Sequence, residues 1–226
     1  ESYKVGALLS VTGRASFLGE PERNTAKMIE EMVNAKGGIN GRPLEVIVYD
    51  TEGDATKAVV MAKRLIQKDK VLAIVGPSTS GTSMAVVPIA NKNKIPMIAL
   101  GASAKIASPV ADRKWIFKVV PGYDLAVALM YDYMKKQSIS KIAILSVSTG
   151  YGISGRQQLQ KLAPQYGIEI TADETYGPKE SDLTAQLTKV RGTDAQAIVN
   201  WSIGPPQVVV TRNWKQLAIK IPLYQS

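Results

Sequence analysis

Cysteine and histidine are both absent from the 226 residues of this chain. Without cysteine there is no disulfide, thiolate nucleophile or thiolate metal site, and without histidine the commonest general base and metal ligand are missing. Aromatic residues are sparse at 6%, and no apolar run reaches the roughly 18 residues that indicate a membrane-spanning helix. Two large classes of enzyme mechanism are excluded on this inventory. The inventory itself excludes only those two classes; together with the patterns described below, we predict a protein that is not an enzyme, with no catalytic residue, metal site or cofactor.

Basic residues outnumber acidic ones, with 28 Lys+Arg and 19 Asp+Glu, so the net charge is +9. Nucleic-acid binding requires basic residues concentrated on one face, preferably with stacking aromatic residues. Here the basic residues are spread along the chain, which is typical of a solvated surface. We therefore predict no nucleic-acid partner.

Strand and helix patterns alternate almost from end to end, and 45% of the residues are apolar. Apolar residues at helical spacing predict helices over Arg23–Ala35 and from Asp54 to Lys68, each lying between short apolar strands. Such βα units form parallel sheets with right-handed crossovers. A break at Val120-Pro121-Gly122 separates two such series. The predicted fold is α/β, with two Rossmann-like parallel-sheet domains over residues 1–120 and 121–226.

The final strand, predicted at Pro222–Tyr224, has no helix after it. A parallel sheet needs helices on both faces. We therefore expect a second domain that is incomplete at its C-terminus, in a chain cut from a longer one. Uncovered apolar surface would favour association, so we also expect an oligomer.

Two loops of small residues follow neighbouring strands of the predicted first sheet. They are Gly76-Pro77-Ser78-Thr79-Ser80-Gly81, which also opens a helix, and Gly101-Ala102-Ser103-Ala104. Ligands of open α/β sheets bind at the carboxyl ends of the strands, and helix-start N–H groups favour an anion. These loops therefore predict a binding site for a carboxylate.

The segment Gly150–Gly155 matches G-x-G-x-x-G, with Glu169, Asp173 and Glu174 about 20 residues on. One interpretation is an NAD-dependent oxidoreductase. The other is a tight strand-to-helix turn with Tyr151 facing a cleft, which we favour because too little chain follows for a complete dinucleotide site.

Three further patterns have structural and functional interpretations. Tyr131 and Lys135 have the spacing of a short-chain dehydrogenase pair, but they precede the glycines, so we predict a helix surface. The acidic residues Asp50, Glu52 and Asp54 lack calcium-loop spacing and indicate a helix start. Trp201, at a strand end, fits simple packing and a ligand wall equally well.

The chain resembles the periplasmic substrate-binding proteins of branched-chain amino-acid ABC transporters, which have the type I periplasmic-binding fold. The resemblance covers essentially the whole sequence. It is carried by Leu8–Gly13 with Gly19, Asn34–Leu44 (NAKGGINGRPL), Tyr49–Thr51, Val75–Pro77, Ile95–Ile98 and Tyr151-Gly152.

The resemblance implies two lobes that close on a ligand, with three crossings between them, of which this sequence contains one. By motif position it assigns the ligand carboxylate to the two small loops, with Leu18 near the ligand and Tyr151 and the Trp201–Ile203 segment in the second lobe. The family's acidic residue for the ammonium group would fall just past Ser226. The candidate ligand-binding residues are Leu18, Ser78, Ser80, Gly101, Ala102, Ser103, Tyr151 and Trp201.

The resemblance also implies a periplasmic or extracytoplasmic location, with a lipid anchor left open, and a membrane permease as partner. The ligand would be a small carboxylate. Leu18 and Trp201 depart from the smaller or more polar pattern of aliphatic amino-acid binders, so an aromatic acid is an open alternative. A ligand-sensing domain of a receptor or regulator remains a third alternative, since this fold serves there too.

Overall fold

The computed structural model describes all residues, Glu1–Ser226, and divides into two compact units. The first unit is Glu1–Val120 and the second is Pro121–Ser226. No helix in either unit has the length and apolar character needed to cross a membrane.

The first unit is a five-stranded parallel sheet in the order β2-β1-β3-β4-β5. Its α-helices and strands, in chain order, are β1 Tyr3–Leu9, α1 Ser16–Ala35, β2 Leu44–Asp50, α2 Ala55–Arg64, β3 Ala73–Val75, α3 Ser80–Lys92, β4 Met97–Ala99 and β5 Ile116–Lys118. A single π-helical turn, Leu65–Asp69, continues α2, and two 3₁₀ turns interrupt the loop before β5.

The second unit is a four-stranded parallel sheet in the order β7-β6-β8-β9. Its helices and strands are α4 Tyr123–Lys136, β6 Lys141–Val147, α5 Gly150–Tyr166, β7 Glu169–Tyr176, α6 Thr184–Arg191, β8 Ala197–Trp201, α7 Pro205–Gln216 and β9 Leu223–Gln225. The predicted α/β class with two parallel sheets is confirmed.

Each unit has a hydrophobic core between its sheet and its helices. In the first unit the core includes Leu8, Ala58, Leu65, Ile74, Val86 and Met97. In the second unit it includes Leu145, Leu187, Ile198 and Val210. Burial of these side chains is the main term that stabilises each unit.

Two predicted boundaries are wrong. Helix α1 begins at Ser16, seven residues before the predicted start, and contains Pro21. Gly19, which would ordinarily count against a helix, is required here because a Cβ would lie 2.2 Å from the backbone of Ser10. Strand β7, for which the sequence pattern predicts only Ile168–Thr171, extends to Tyr176 because it pairs with β6 as far as that residue.

Candidate functional site

The two small-residue loops meet at the carboxyl ends of β3 and β4. These strands are neighbours, with Ile74 paired to Met97. The Ser103 N–H donates to Ser80 Oγ at 3.2 Å. A Cβ on Gly101 would lie 2.8 Å from the Ser80 Cα, so the approach of the loops requires glycine. The predicted proximity of the loops is confirmed.

One backbone N–H group at the start of α3 is capped by a side chain of the same segment. Thr79 is the N-cap, and its Oγ1 accepts from the Thr82 N–H at 3.4 Å. Ser83 Oγ donates to the Pro77 carbonyl at 2.9 Å. The Thr82 N–H is therefore occupied by the cap, although we had expected the helix start to offer free N–H groups.

The serines assigned to ligand binding are buried in the structure. Ser78 is 3% exposed, Ser80 1% and Ser103 0%. Ala102 and Leu18 are half-buried. Ligand contacts by these residues stay a prediction.

Glu22, which no sequence motif singles out, contacts the first of these loops. Ser78 donates its hydroxyl hydrogen to the Glu22 carboxylate, and Ser78 Oγ accepts from the Ser10 N–H at 2.9 Å. Burial raises the pKa of Glu22, and the Ser78 hydrogen bond offsets part of that rise. No local pattern indicated this contact because residue 22 was predicted to lie before the helix.

The ends of β1 and β2 are also linked by polar groups. Ser10 Oγ and Thr51 Oγ1 lie 3.2 Å apart, and the Thr51 N–H donates to the Leu9 carbonyl at 2.7 Å. Ser10 and Thr51 are both fully buried. The carboxyl edge of β1, β2 and β3 is therefore joined through Thr51, Ser10, Ser78 and Glu22.

The acidic cluster after β2 is a helix start, as predicted. Asp54 is the N-cap of α2 and accepts from the Lys57 N–H at 2.8 Å. Glu52 pairs with the Lys57 ammonium at 2.5 Å. Asp50 accepts from Thr12 and from the Glu52 N–H, and these hydrogen bonds outweigh burial and lower its pKa.

In the second unit, three aromatic side chains pack together where α4, α5 and β8 meet. The Tyr123 ring contacts Tyr151 and Trp201 edge-on, at centroid distances of 5.2 and 5.4 Å. Trp201 is 1% exposed, and its indole Nε1 has no hydrogen-bond partner. Trp201 thus serves as packing, while a ligand contact by its ring stays a prediction. Tyr151 is half-buried and its hydroxyl is hydrogen-bonded to Ser226.

A buried polar network joins the carboxyl ends of β7, β8 and β9. Asn200 Oδ1 accepts from the Tyr176 hydroxyl at 2.7 Å, and Asn200 Nδ2 donates to Ser202 Oγ at 2.9 Å and Gln225 Oε1 at 2.5 Å. Burial raises the pKa of Tyr176 to about 12. Both polar atoms of the Asn200 side chain have hydrogen-bond partners, so the network links the ends of the three strands.

The glycines of the G-x-G-x-x-G segment are explained by packing. A Cβ on Gly152 would lie 1.8 Å from the Val147 carbonyl oxygen, and one on Gly155 would lie 2.1 Å from the Trp201 indole nitrogen. Asp173, a candidate ribose ligand, instead accepts from Arg156 at 2.7 Å. These contacts favour the tight-turn interpretation.

Tyr131 is not on a helix surface, as we had predicted. It is fully buried, and its hydroxyl donates to the Leu159 carbonyl at 2.9 Å. Burial raises its pKa. The prediction failed because α4 turns this side chain toward α5, which the spacing of Tyr131 and Lys135 alone does not reveal.

A surface cavity of about 610 Å³ lies away from the candidate site. It is lined by residues at the amino ends of β1, β2 and β3, among them Tyr3, Lys4, Arg42 and Glu45. Parallel sheets bind ligands at the opposite edge. We therefore place the candidate site at the strand ends that carry the two small loops.

The chain belongs to the periplasmic binding protein family, whose model matches residues 2–220. It is 25% identical to the leucine-, isoleucine-, valine-, threonine- and alanine-binding protein of Pseudomonas aeruginosa, over 97% of this chain and 58% of that protein. It is 24% identical to a Leu/Ile/Val-binding protein homolog of Brucella abortus, over 88% of this chain and 52% of that protein. The chain thus spans little more than half the length of these relatives.

Solved structures show the same fold. An extracellular ligand-binding receptor from Rhodopseudomonas palustris superposes with a TM-score of 0.91 at 28% identity, over 100% of this chain and 61% of that one. A type 1 periplasmic binding protein from Bordetella pertussis also gives 0.91, at 25% identity and over 62% of its chain. The fold is therefore the type I periplasmic-binding fold.

Proposed function

We propose that this chain is the solute-binding component of an ABC transporter, acting outside the cytoplasm to deliver a small carboxylate to a membrane permease. The observation that carries the proposal is the meeting of the two small-residue loops at the ends of β3 and β4. Backbone N–H groups at such an edge favour an anionic group. Family membership and the names of the relatives support a branched-chain amino acid as the first ligand to test.

An aromatic acid is the second ligand class within this proposal. It is supported by the aromatic cluster of Tyr123, Tyr151 and Trp201 in the second unit. Aromatic rings favour edge-on and offset contacts with another ring. The half-buried Tyr151 is the member we propose for ligand contact.

Calorimetric titration with L-leucine, L-isoleucine, L-valine and benzoate tests the class of ligand. We expect saturable binding of at least one of these carboxylates, and weaker binding of the amide derivative of the same compound because it lacks the anionic charge. Absence of binding by all four compounds would contradict the proposed function.

The variant Ser103→Ala tests the proposed carboxylate-binding site. We expect binding of the carboxylate to weaken by about 1–2 kcal/mol, because a hydrogen bond to a charged group or the support of the neighbouring loop is lost. Ser108→Ala, at an exposed position of the same connection between β4 and β5, is the matched control and should bind as the parent does. Unchanged affinity in both Ser80→Ala and Ser103→Ala would refute the assignment.

A further inference from the structure

We propose that Glu22 is a positioning residue that fixes segment 76–80 through the hydroxyl of Ser78. The part of that segment in ligand binding rests on the function proposed above. The positioning role itself rests on the contacts of Glu22, Ser78 and Ser10.

Glu22 is a half-buried carboxylate on α1 without a cationic partner. None of the six ion pairs in the chain includes it. Buried carboxylates are ordinarily paired with a cation, because loss of hydration is costly. Glu22 instead accepts from a single hydroxyl, that of Ser78. The Ser78 hydroxyl is therefore the group that compensates the lost hydration of this carboxylate, which ties the position of Ser78 to that of Glu22.

Ser78 can serve only one acceptor at a time. A serine hydroxyl has one hydrogen and two lone pairs, and it rotates to suit its neighbours. Here the hydrogen is donated to Glu22, and a lone pair accepts from the Ser10 N–H at 2.9 Å. The carboxylate thus sets the rotation that presents the lone pair to Ser10. It also keeps the Ser78 hydrogen from a ligand anion.

The Ser10 N–H needs this acceptor. Ser10 follows the last residue of β1 and is fully buried, so an unpaired amide there would be costly. On the other side, Gly19 of α1 lies directly against the Ser10 backbone. Glu22 follows Gly19 by three residues, which places both on one face of the helix. Helix α1, the end of β1 and the loop after β3 are therefore joined at one point.

Amide hydrogen exchange, measured by NMR on the ligand-free protein, tests this role. The variants are Glu22→Ala, which removes the acceptor, and Glu22→Gln, whose side-chain oxygen can still accept from Ser78. We expect protection of the Ser10 amide to fall by at least about tenfold in Glu22→Ala, the scale of one lost hydrogen bond to a charged group. In Glu22→Gln we expect protection to be retained within a few-fold.

Glu20→Gln is the matched control, because Glu20 lies on the same helix and its side chain is 63% exposed. It should leave the Ser10 amide unchanged. If Glu22→Ala does not fold, Glu22→Met, which fills the same space but offers no carboxylate or amide oxygen, provides the second arm, and its Ser10 amide should lose protection in the same way.

Retained protection in Glu22→Ala, or equal loss in the Gln and Ala variants, would overturn the positioning role. Because this measurement uses no ligand, it is independent of the binding titrations. A protein that binds none of the carboxylates but shows the expected exchange pattern would contradict the proposed function and leave the positioning role intact.

Discussion

At the scale of single residues, several positions whose sequence motifs suggest ligand binding are closely packed against neighbouring side chains or backbone in the structure. Gly152 and Gly155 belong to a dinucleotide-like pattern, yet each is required by a neighbouring carbonyl or indole. Trp201 was equally consistent with packing and with a ligand wall, and it is almost completely buried. Glu22, which no motif marked, holds one of the candidate loops.

The pH dependence of stability should report the ionisation of Glu22. Burial raises its folded-state pKa above the ordinary glutamate value of 4.5, so the native state binds more protons than the unfolded state. The stability contributed by this group is fully present below the unfolded pKa and is lost as pH rises through the folded pKa. The glutamine in Glu22→Gln mimics the neutral form. We therefore expect the free energy of unfolding of this variant to increase relative to the parent as pH rises above about 4.5.

Urea unfolding of both proteins between pH 4 and 7 measures this difference. Glu20→Gln again serves as control, since its difference from the parent should show no comparable slope. A stability difference for Glu22→Gln that decreases with pH would contradict the raised pKa.

The Gly155→Ala variant should destabilise the protein. The added methyl carbon would lie 2.1–2.4 Å from three atoms of the buried Trp201 indole. Overpacking of this kind costs about 1–3 kcal/mol, which exceeds the gain of at most about 1 kcal/mol from replacing glycine in a helix. Denaturant unfolding measures the loss. The same glycine change in a Trp201→Phe background should cost less, because the smaller ring leaves room, and an equal cost in both backgrounds would refute the contact.

At the scale of elements, helix α3 joins the fold to the candidate site. Its N-cap, Thr79, accepts from the Thr82 N–H and lies between the candidate residues Ser78 and Ser80. The same cap that starts the helix therefore also fixes the loop after β3. Changes at this position should affect both stability and any ligand bound there.

We expect Thr79→Ala to reduce the free energy of unfolding by about 1 kcal/mol, the usual cost of removing a threonine N-cap. Thr79→Ser keeps a hydroxyl acceptor and should lose much less. Chemical denaturation of the three proteins provides the comparison. Equal stability of the alanine and serine variants would show that the cap contributes nothing.

The order and type of most elements could be predicted from the sequence, since apolar spacing carries that information directly. The boundaries of α1 and β7 could not. Gly19 and Pro21 discourage a helix locally, and only the backbone of Ser10 explains why glycine is needed there. The acidic residues of β7 interrupt the apolar pattern that predicts a strand, and the strand continues through them because it pairs with β6. For the site, strand-end position identified the two loops, but the contact between Glu22 and Ser78 spans 56 residues and left no local signal.

At the scale of the whole molecule, the chain consists of two units, each with its own parallel sheet and hydrophobic core. A unit with its own core can in principle fold alone. We expect polypeptides of residues 1–120 and 121–226, expressed separately, each to show a cooperative thermal transition by circular dichroism. A fragment without such a transition would show that its core depends on the rest of the chain.

The buried indole of Trp201 also makes the second unit optically distinctive. Its ring lies out of contact with water and its N–H has no acceptor, so solvent dipoles cannot relax around the excited state. Emission from this side chain should therefore be shifted to the blue. Trp214, in the same unit, donates its N–H to the Ile221 carbonyl at 3.1 Å and is only partly buried, so its emission should lie further to the red. The fluorescence spectrum thus contains a native reporter of packing between α5 and β8, without any attached dye.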